Sequence, residues 1–92
     1  MTKSALADFR SFSAITEAWE LTQTGLIVLG GEMYKLEAWH SYSNPDIPYY
    51  VSIHVQRDGI WRRLPDPPFP VAMGADEAMR TAMAFLAERQ AA

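Results

Sequence analysis

Histidines and carboxylates are the side chains of this sequence that could catalyse a reaction or bind a metal. The chain has two histidines, His40 and His54, and no cysteine. Thiol nucleophiles, disulfides and cysteine-based zinc sites are therefore excluded. The sequence also has no Gly-x-Ser-x-Gly, no His-Glu-x-x-His and no phosphate-cradling glycine loop, and its glutamates lack a diagnostic pairing. We therefore expect no catalysis, no metal and no cofactor.

A metal bound between the two histidines is the alternative, since they could meet on adjacent strands. Residue alternation places His54 on the same face of a predicted sheet as Tyr50, and His40 on the opposite face with Leu36. Only a bulge would bring the two rings to one face. The pattern therefore favours two separate histidines.

Aromatic and cationic side chains are the better candidates for function, as a binding surface. They are predicted to share the face of the sheet that points away from the core. The candidates are Trp39, Tyr50, His54, Trp61, Arg63 and Lys35. Tryptophan, tyrosine and arginine are enriched at protein interfaces. Aromatic rings with nearby cations also stack on the bases of single-stranded nucleic acid.

Two alternatives would remove this surface. The N-terminal segment, with Phe9, Phe12 and Trp19, could cover the face and make it part of the core. A three-residue turn with a glycine bulge would also turn Trp61 inward. In either case the six residues would have a structural role only.

The pattern from Tyr49 to Leu64 positions this face. Apolar residues alternate with polar ones on both sides of Asp58-Gly59, which is typical of half-buried strands. Asp-Gly between two such runs predicts a two-residue hairpin, because glycine accepts the positive φ that the turn requires. The predicted cross-strand pairs are Arg57 with Ile60, Gln56 with Trp61, and His54 with Arg63.

Residue spacing also predicts two helices. Apolar residues at steps of three and four predict an N-terminal helix from about Ser4 to Gln23 and a C-terminal helix from about Ala75 to Gln90. The first segment carries a strand pattern as well, since Trp19 and Leu21 share a parity. Both readings stay open at this point.

The remaining segments predict strands and connections. A strand is expected from Glu32 to Tyr42, after a turn at Gly30-Gly31. Residues 43–48 have the composition of a loop. Residues 65–74 are a proline-rich connector, because proline cannot continue the interior of a strand.

Together these elements predict one two-layer α+β domain that spans residues 1–92. An N-terminal helix precedes an antiparallel meander of three to four strands, and the C-terminal helix packs on the sheet. Residues 1–12 are expected to be flexible. The expected core residues are Leu36, Val51, Ile53, Val55, Met79, Met83 and Leu86.

The order of helix, strands and helix resembles the double-stranded RNA-binding domain, whose layout is α-β-β-β-α at a similar size. The resemblance covers most of the chain and concerns architecture. In that family the second helix begins with lysines that face phosphates. The corresponding turn here is Ala75-Asp76-Glu77, whose carboxylates would repel phosphate. The resemblance therefore implies the layout of that domain but not its binding of duplex RNA.

Charge and hydropathy narrow the possible partners. The net charge of −3 gives little non-specific attraction to nucleic acid or membranes. The longest aliphatic run, Leu26 to Leu29, is too short to span a bilayer, and the first residues do not resemble a signal peptide. The chain also looks like short bacterial domains with a meander and a C-terminal helix, so we expect a cytoplasmic bacterial protein.

The expected function is that of a small interaction or accessory module. It would bind a protein partner or a second copy of itself, as a homodimer. Binding of single-stranded nucleic acid or of an aromatic ligand on the same face is the alternative, and the charge makes nucleic acid the less favoured of these partners.

Overall fold

The secondary structure is an antiparallel sheet followed by one α-helix. A computed structural model of the chain describes residues 4–65 and 69–91. The elements are a 3₁₀ helix at Ala5–Ser11, β1 at Trp19–Leu29, β2 at Glu32–Ser41, β3 at Tyr49–Arg57, β4 at Ile60–Arg63, and α1 at Ala75–Ala91. The strands lie in the order β1-β2-β3-β4, as a meander. The α+β class, the antiparallel sheet and the C-terminal helix agree with the sequence.

Two-residue turns join β1 to β2 and β3 to β4. Gly30 and Gly31 have φ of 60° and 79°, and Asp58 and Gly59 have φ of 54° and 76°. Positive φ at both central residues gives the turn a twist that matches the twist of antiparallel strands. The pairing predicted across the second turn is confirmed. The pairs are Arg57 with Ile60, Gln56 with Trp61, and His54 with Arg63.

The helix predicted over residues 4–23 is wrong beyond its first turns. The 3₁₀ helix ends at Ser11, and β1 already begins at Trp19. The serines at 11 and 13 compete for backbone hydrogen bonds and weaken a helix interior. The segment from Trp19 onward instead satisfies its backbone groups by pairing with β2, which outweighs the helical spacing of its apolar residues.

Helix α1 packs on one face of the sheet and forms the core with it. The core residues alternate along β2 and β3 and recur at helical spacing along α1. They include Tyr34, Leu36, Ala38, Val51, Ile53, Val55, Ala78, Met79, Ala82 and Leu86. Met83, which was predicted to lie in the core, is 42% exposed. It lies about 100° around the helix from Ala82, just beyond the arc that faces the sheet.

The segments at either end of the sheet are described only in part. Residues 1–3 lie outside the described residues, as do residues 66–68 of the predicted connector. Beyond that gap, Ala72 forms a single bridge to Tyr49 before α1 begins.

None of the helices in the described part of the chain is long and apolar enough to cross a membrane.

The stability of this core can be tested with two isoleucines. Ile53 is 2% exposed and Ile60 is 55% exposed. We expect Ile53→Ala to lower the free energy of unfolding by about 2–4 kcal/mol, because it leaves a cavity, and Ile60→Ala to lower it by less than about 0.5 kcal/mol. Urea denaturation measures both values. Equal losses would contradict the observed register.

Candidate interaction surface

The face of the sheet opposite α1 carries side chains from all four strands, and we call it the open face. Cross-strand pairing assigns its members. They are Trp19, Leu21, Thr24, Leu26, Val28, Met33, Lys35, Glu37, Trp39, Tyr50, Ser52, His54, Gln56, Trp61 and Arg63. All six site residues predicted from the sequence lie on this face. Helix α1 lies on the other side of the sheet.

Of the residues that the alternative placed over the open face, Phe12 is 63% exposed, and Phe9 is buried outside the core cluster. The hydroxyl of Ser4 donates to the carboxylate of Glu20 at 3.1 Å. Glu20 pairs with His40, whose side chain is on the α1 side of the sheet. The start of the chain is thus fastened to the other side of the sheet.

An aromatic cluster of Trp19, Trp39 and Tyr50 occupies one end of the open face. Trp39 stacks on Tyr50 with ring centroids 6.3 Å apart, and Trp19 meets the same tyrosine edge-on at 5.1 Å. The indole N–H of Trp39 donates to the hydroxyl of Ser52 at 3.2 Å. These contacts fix the rings before any partner binds, so little side-chain entropy is lost on binding. Trp19 was missed because its segment was predicted as a helix.

Polar side chains lie beside the aromatic cluster. The Nδ1 atom of His54 is 3.5 Å from the Glu37 carboxylate and makes no hydrogen bond within the described residues. Both side chains line a shallow cavity of about 230 Å³, which is smaller than the usual site for a small-molecule ligand. Such a hollow suits a single side chain of a partner.

The second histidine does not join this group. The ring of His40 stacks on Tyr49 at 4.7 Å on the α1 side, so the two histidines point to opposite faces. Among the described residues, no group of three or more histidine, aspartate or glutamate side chains could hold a metal.

Lys35 and Trp61 form a cation–π pair further along the open face. The Lys35 Nζ atom lies 4.9 Å from the centroid of the Trp61 ring. A pair of this kind contributes about 0.5–1 kcal/mol at an exposed site. The contact places a positive charge beside the Trp61 ring.

The open face is largely aliphatic along β1 and at the start of β2. Leu26 and Val28 are 60% and 70% exposed, and Leu21 and Met33 are exposed as well. This aliphatic area was missed because the unbroken run Leu26–Leu29 hides the alternation between the two faces of the strand. The open face is therefore larger and more apolar than the six predicted residues indicate.

Two polar contacts tie the sheet together on the α1 side. The Arg57 guanidinium donates to the Glu32 carboxylate, and this hydrogen bond lowers the pKa of Glu32 below its ordinary value. The Tyr42 hydroxyl donates to Glu20 at 2.7 Å, which raises the pKa of the tyrosine. Both contacts join neighbouring strands and are structural.

A larger cavity of about 500 Å³ opens beside the aromatic cluster. It lies where β4 has ended, so on the side away from β2 the first half of β3 has only the bridge to Ala72 beside it in the described part of the chain. Its lining includes Trp19, Ile47, Tyr50 and Phe69. The volume is within the range of small-ligand sites, which keeps the aromatic-ligand alternative open.

Comparison of the chain with models of protein families, with curated proteins and with solved structures found no match.

The hydrogen bond inside the aromatic cluster can be measured by a double-mutant cycle. We expect Trp39→Phe and Ser52→Ala each to lower the free energy of unfolding by about 1 kcal/mol, because each removes one partner of a half-buried bond. The two losses should overlap by about 0.5–1.5 kcal/mol in the double variant. Strictly additive losses from urea denaturation would show that the bond contributes nothing.

Proposed function

We propose that the protein is an interaction module that binds another protein chain through the open face, with a second copy of itself as the simplest partner. One observation carries the proposal: aliphatic side chains are exposed on the open face beside half-buried aromatic rings, and they include Leu21, Leu26, Val28 and Met33. Monomeric soluble proteins rarely expose a contiguous apolar patch larger than a few hundred Å².

The area of the open face supports a contact between two copies. Strands spaced about 4.8 Å apart, with a rise of about 3.3 Å per residue, give the 34 strand residues of the sheet a face of roughly 540 Å². Each copy would bury roughly 500–600 Å² of flat surface, and two copies about twice that. This reaches the lower limit of specific interfaces.

The composition of the face supports the same conclusion. Trp39, Tyr50 and Trp61 are fixed aromatic anchors of the kind that dominate binding energy. The charged residues Lys35 and Glu37 are two positions apart on β2. A two-fold axis that crosses β2 between them sets Lys35 of each copy opposite Glu37 of the other, so the charges would be complementary.

Single-stranded nucleic acid is the second candidate, because Lys35 and Arg63 lie among the aromatic rings. The stacking of Trp39 on Tyr50 counts against it, since a base would have to displace that contact. The aliphatic area on β1 would also have no role in such a complex. Binding of a protein partner would use both the aromatic and the aliphatic parts of the open face.

Association through the open face can be measured by light scattering over a range of protein concentrations. We expect the wild type to exceed the 10.4 kDa of one chain. Trp61→Ala should weaken association by about tenfold or more, because it removes an aromatic anchor. Ile60→Ala is the matched control, since Ile60 is exposed on the α1 side, and it should behave as wild type. A wild type that stays a single chain, or equal effects of the two variants, would contradict the proposal.

The salt dependence of binding distinguishes the two candidate partners. Binding of an oligothymidylate that uses phosphate contacts should weaken steeply between roughly 50 and 200 mM salt. Self-association through apolar groups should hardly change. We expect no quenching of tryptophan fluorescence by the oligonucleotide at low salt. Quenching that disappears at high salt and in Lys35→Met would favour nucleic acid instead.

A further inference from the structure

We propose that β1 makes a second contact between copies: the free edges of two β1 strands pair antiparallel about a two-fold axis at Leu26. The two four-stranded sheets would then become one continuous eight-stranded sheet. This contact uses backbone groups at the edge of the sheet, so it is independent of the open face.

The two edge strands of the sheet differ in how well they are protected from pairing with another chain. Soluble proteins protect edge strands by making them short, by charges and prolines, and by bulges. The edge strand β4 follows this rule, with four residues of which two are Arg62 and Arg63. The edge strand β1 has eleven residues, with no proline and no charge from Leu21 to Leu29. Its one irregularity lies between Leu21 and Gln23, so residues 23–29 are regular and unprotected.

The pattern of hydrogen bonds identifies the free groups on β1. In a two-residue hairpin the closing pair exchanges both backbone hydrogen bonds, which alternate from there along the strand. Leu29, Ile27 and Gly25 therefore bond to β2, and Val28, Leu26 and Thr24 point outward. The bond from Leu64 N to Ile53 O, at 2.8 Å, fits the same alternation carried across β2 and β3.

The backbone groups that point outward from β1 can pair with the same groups of a second copy. A two-fold axis at Leu26 sets Leu26 against its own copy and Thr24 against Val28 of the partner, which allows about six backbone hydrogen bonds. Paired side chains lie on the same face, and no like charges meet. On the α1 side, Gly25 would stand opposite Ile27 of the partner, where the absent side chain leaves room for the isoleucine.

The exposure of Met83 fits this contact. Met79 on α1 reaches within 3.7 Å of the position that a Cβ atom on Gly25 would take, so this side of the helix lies over β1. Met83 is one turn further on and points to the same side. A second copy joined at β1 would bring its own α1 towards this exposed methionine.

The two contacts together form a closed assembly. The axis at Leu26 is perpendicular to the sheet, and the axis of the open-face contact lies between two sheets. Perpendicular two-fold axes that intersect close a tetramer, here with two eight-stranded sheets face to face and the helices outside. The tetramer rests on the proposed function, whereas the pairing of the β1 edges does not.

Proline at position 24 tests the edge contact. Thr24→Pro removes an outward N–H and leaves the bonds to β2, because proline is tolerated where the N–H points away from the sheet. Thr24→Val is the matched control, since it keeps the N–H and the shape. By light scattering we expect a tetramer for wild type and Thr24→Val, a dimer for Thr24→Pro and for Trp61→Ala, and a single chain for the double variant.

The outcomes separate the two contacts. If Thr24→Pro is folded by circular dichroism and assembles as the wild type does, the edge contact is wrong. If only Thr24→Pro lowers the mass, the edge contact holds and the open-face contact between copies fails. Amide hydrogen exchange of the wild type covers the case in which the proline variant does not fold. The Leu26 amide should be protected only in the assembled protein, and fast exchange there at high concentration would overturn the proposal.

Discussion

The register of β2 against its two neighbours is the constraint on which the rest of the structure depends. Side chains alternate strictly along a strand, so a slip of one residue would exchange the two faces. Leu36 and Ala38 would then face solvent, and Lys35 and Glu37 would face α1. The glycine turn after β1 fixes the register of β2 against β1, and the Asp-Gly turn after β3 fixes that of β4 against β3. The core and the open face thus depend on the same strand registers.

A single α-helix cannot cover both faces of a four-stranded sheet. Helix α1 buries the aliphatic face formed by β2 and β3, and the opposite face has to tolerate water. The two parts of that face differ in how well they tolerate water. On β2 to β4 the rings shield one another and carry polar neighbours, as in the stack of Trp39 on Tyr50. On β1 the aliphatic side chains stand bare, which is unfavourable in an isolated chain and favours association.

The parts of the fold that were predictable have local signals. The Asp-Gly turn, the strict alternation of β3 and the helical spacing after Ala75 each identify one structure. The N-terminal third carries two signals at once, because apolar residues at steps of three and four also share strand parity. Only the pairing of Trp19–Leu29 with β2 decides between them, and that contact is not local. For the same reason the sequence indicated the aromatic half of the open face but not its aliphatic half.

The order of the elements along the chain has a consequence for biosynthesis. Strand β1 is made early, and its unprotected edge precedes the end of α1 by about sixty residues. At synthesis rates of about 5–20 residues per second, β1 is made roughly 3–12 s before the end of the helix that completes the core. During that interval both faces are bare. Nascent chains on neighbouring ribosomes of one message could therefore meet through β1 before either is fully folded, which would favour co-translational pairing and expose the chain to aggregation.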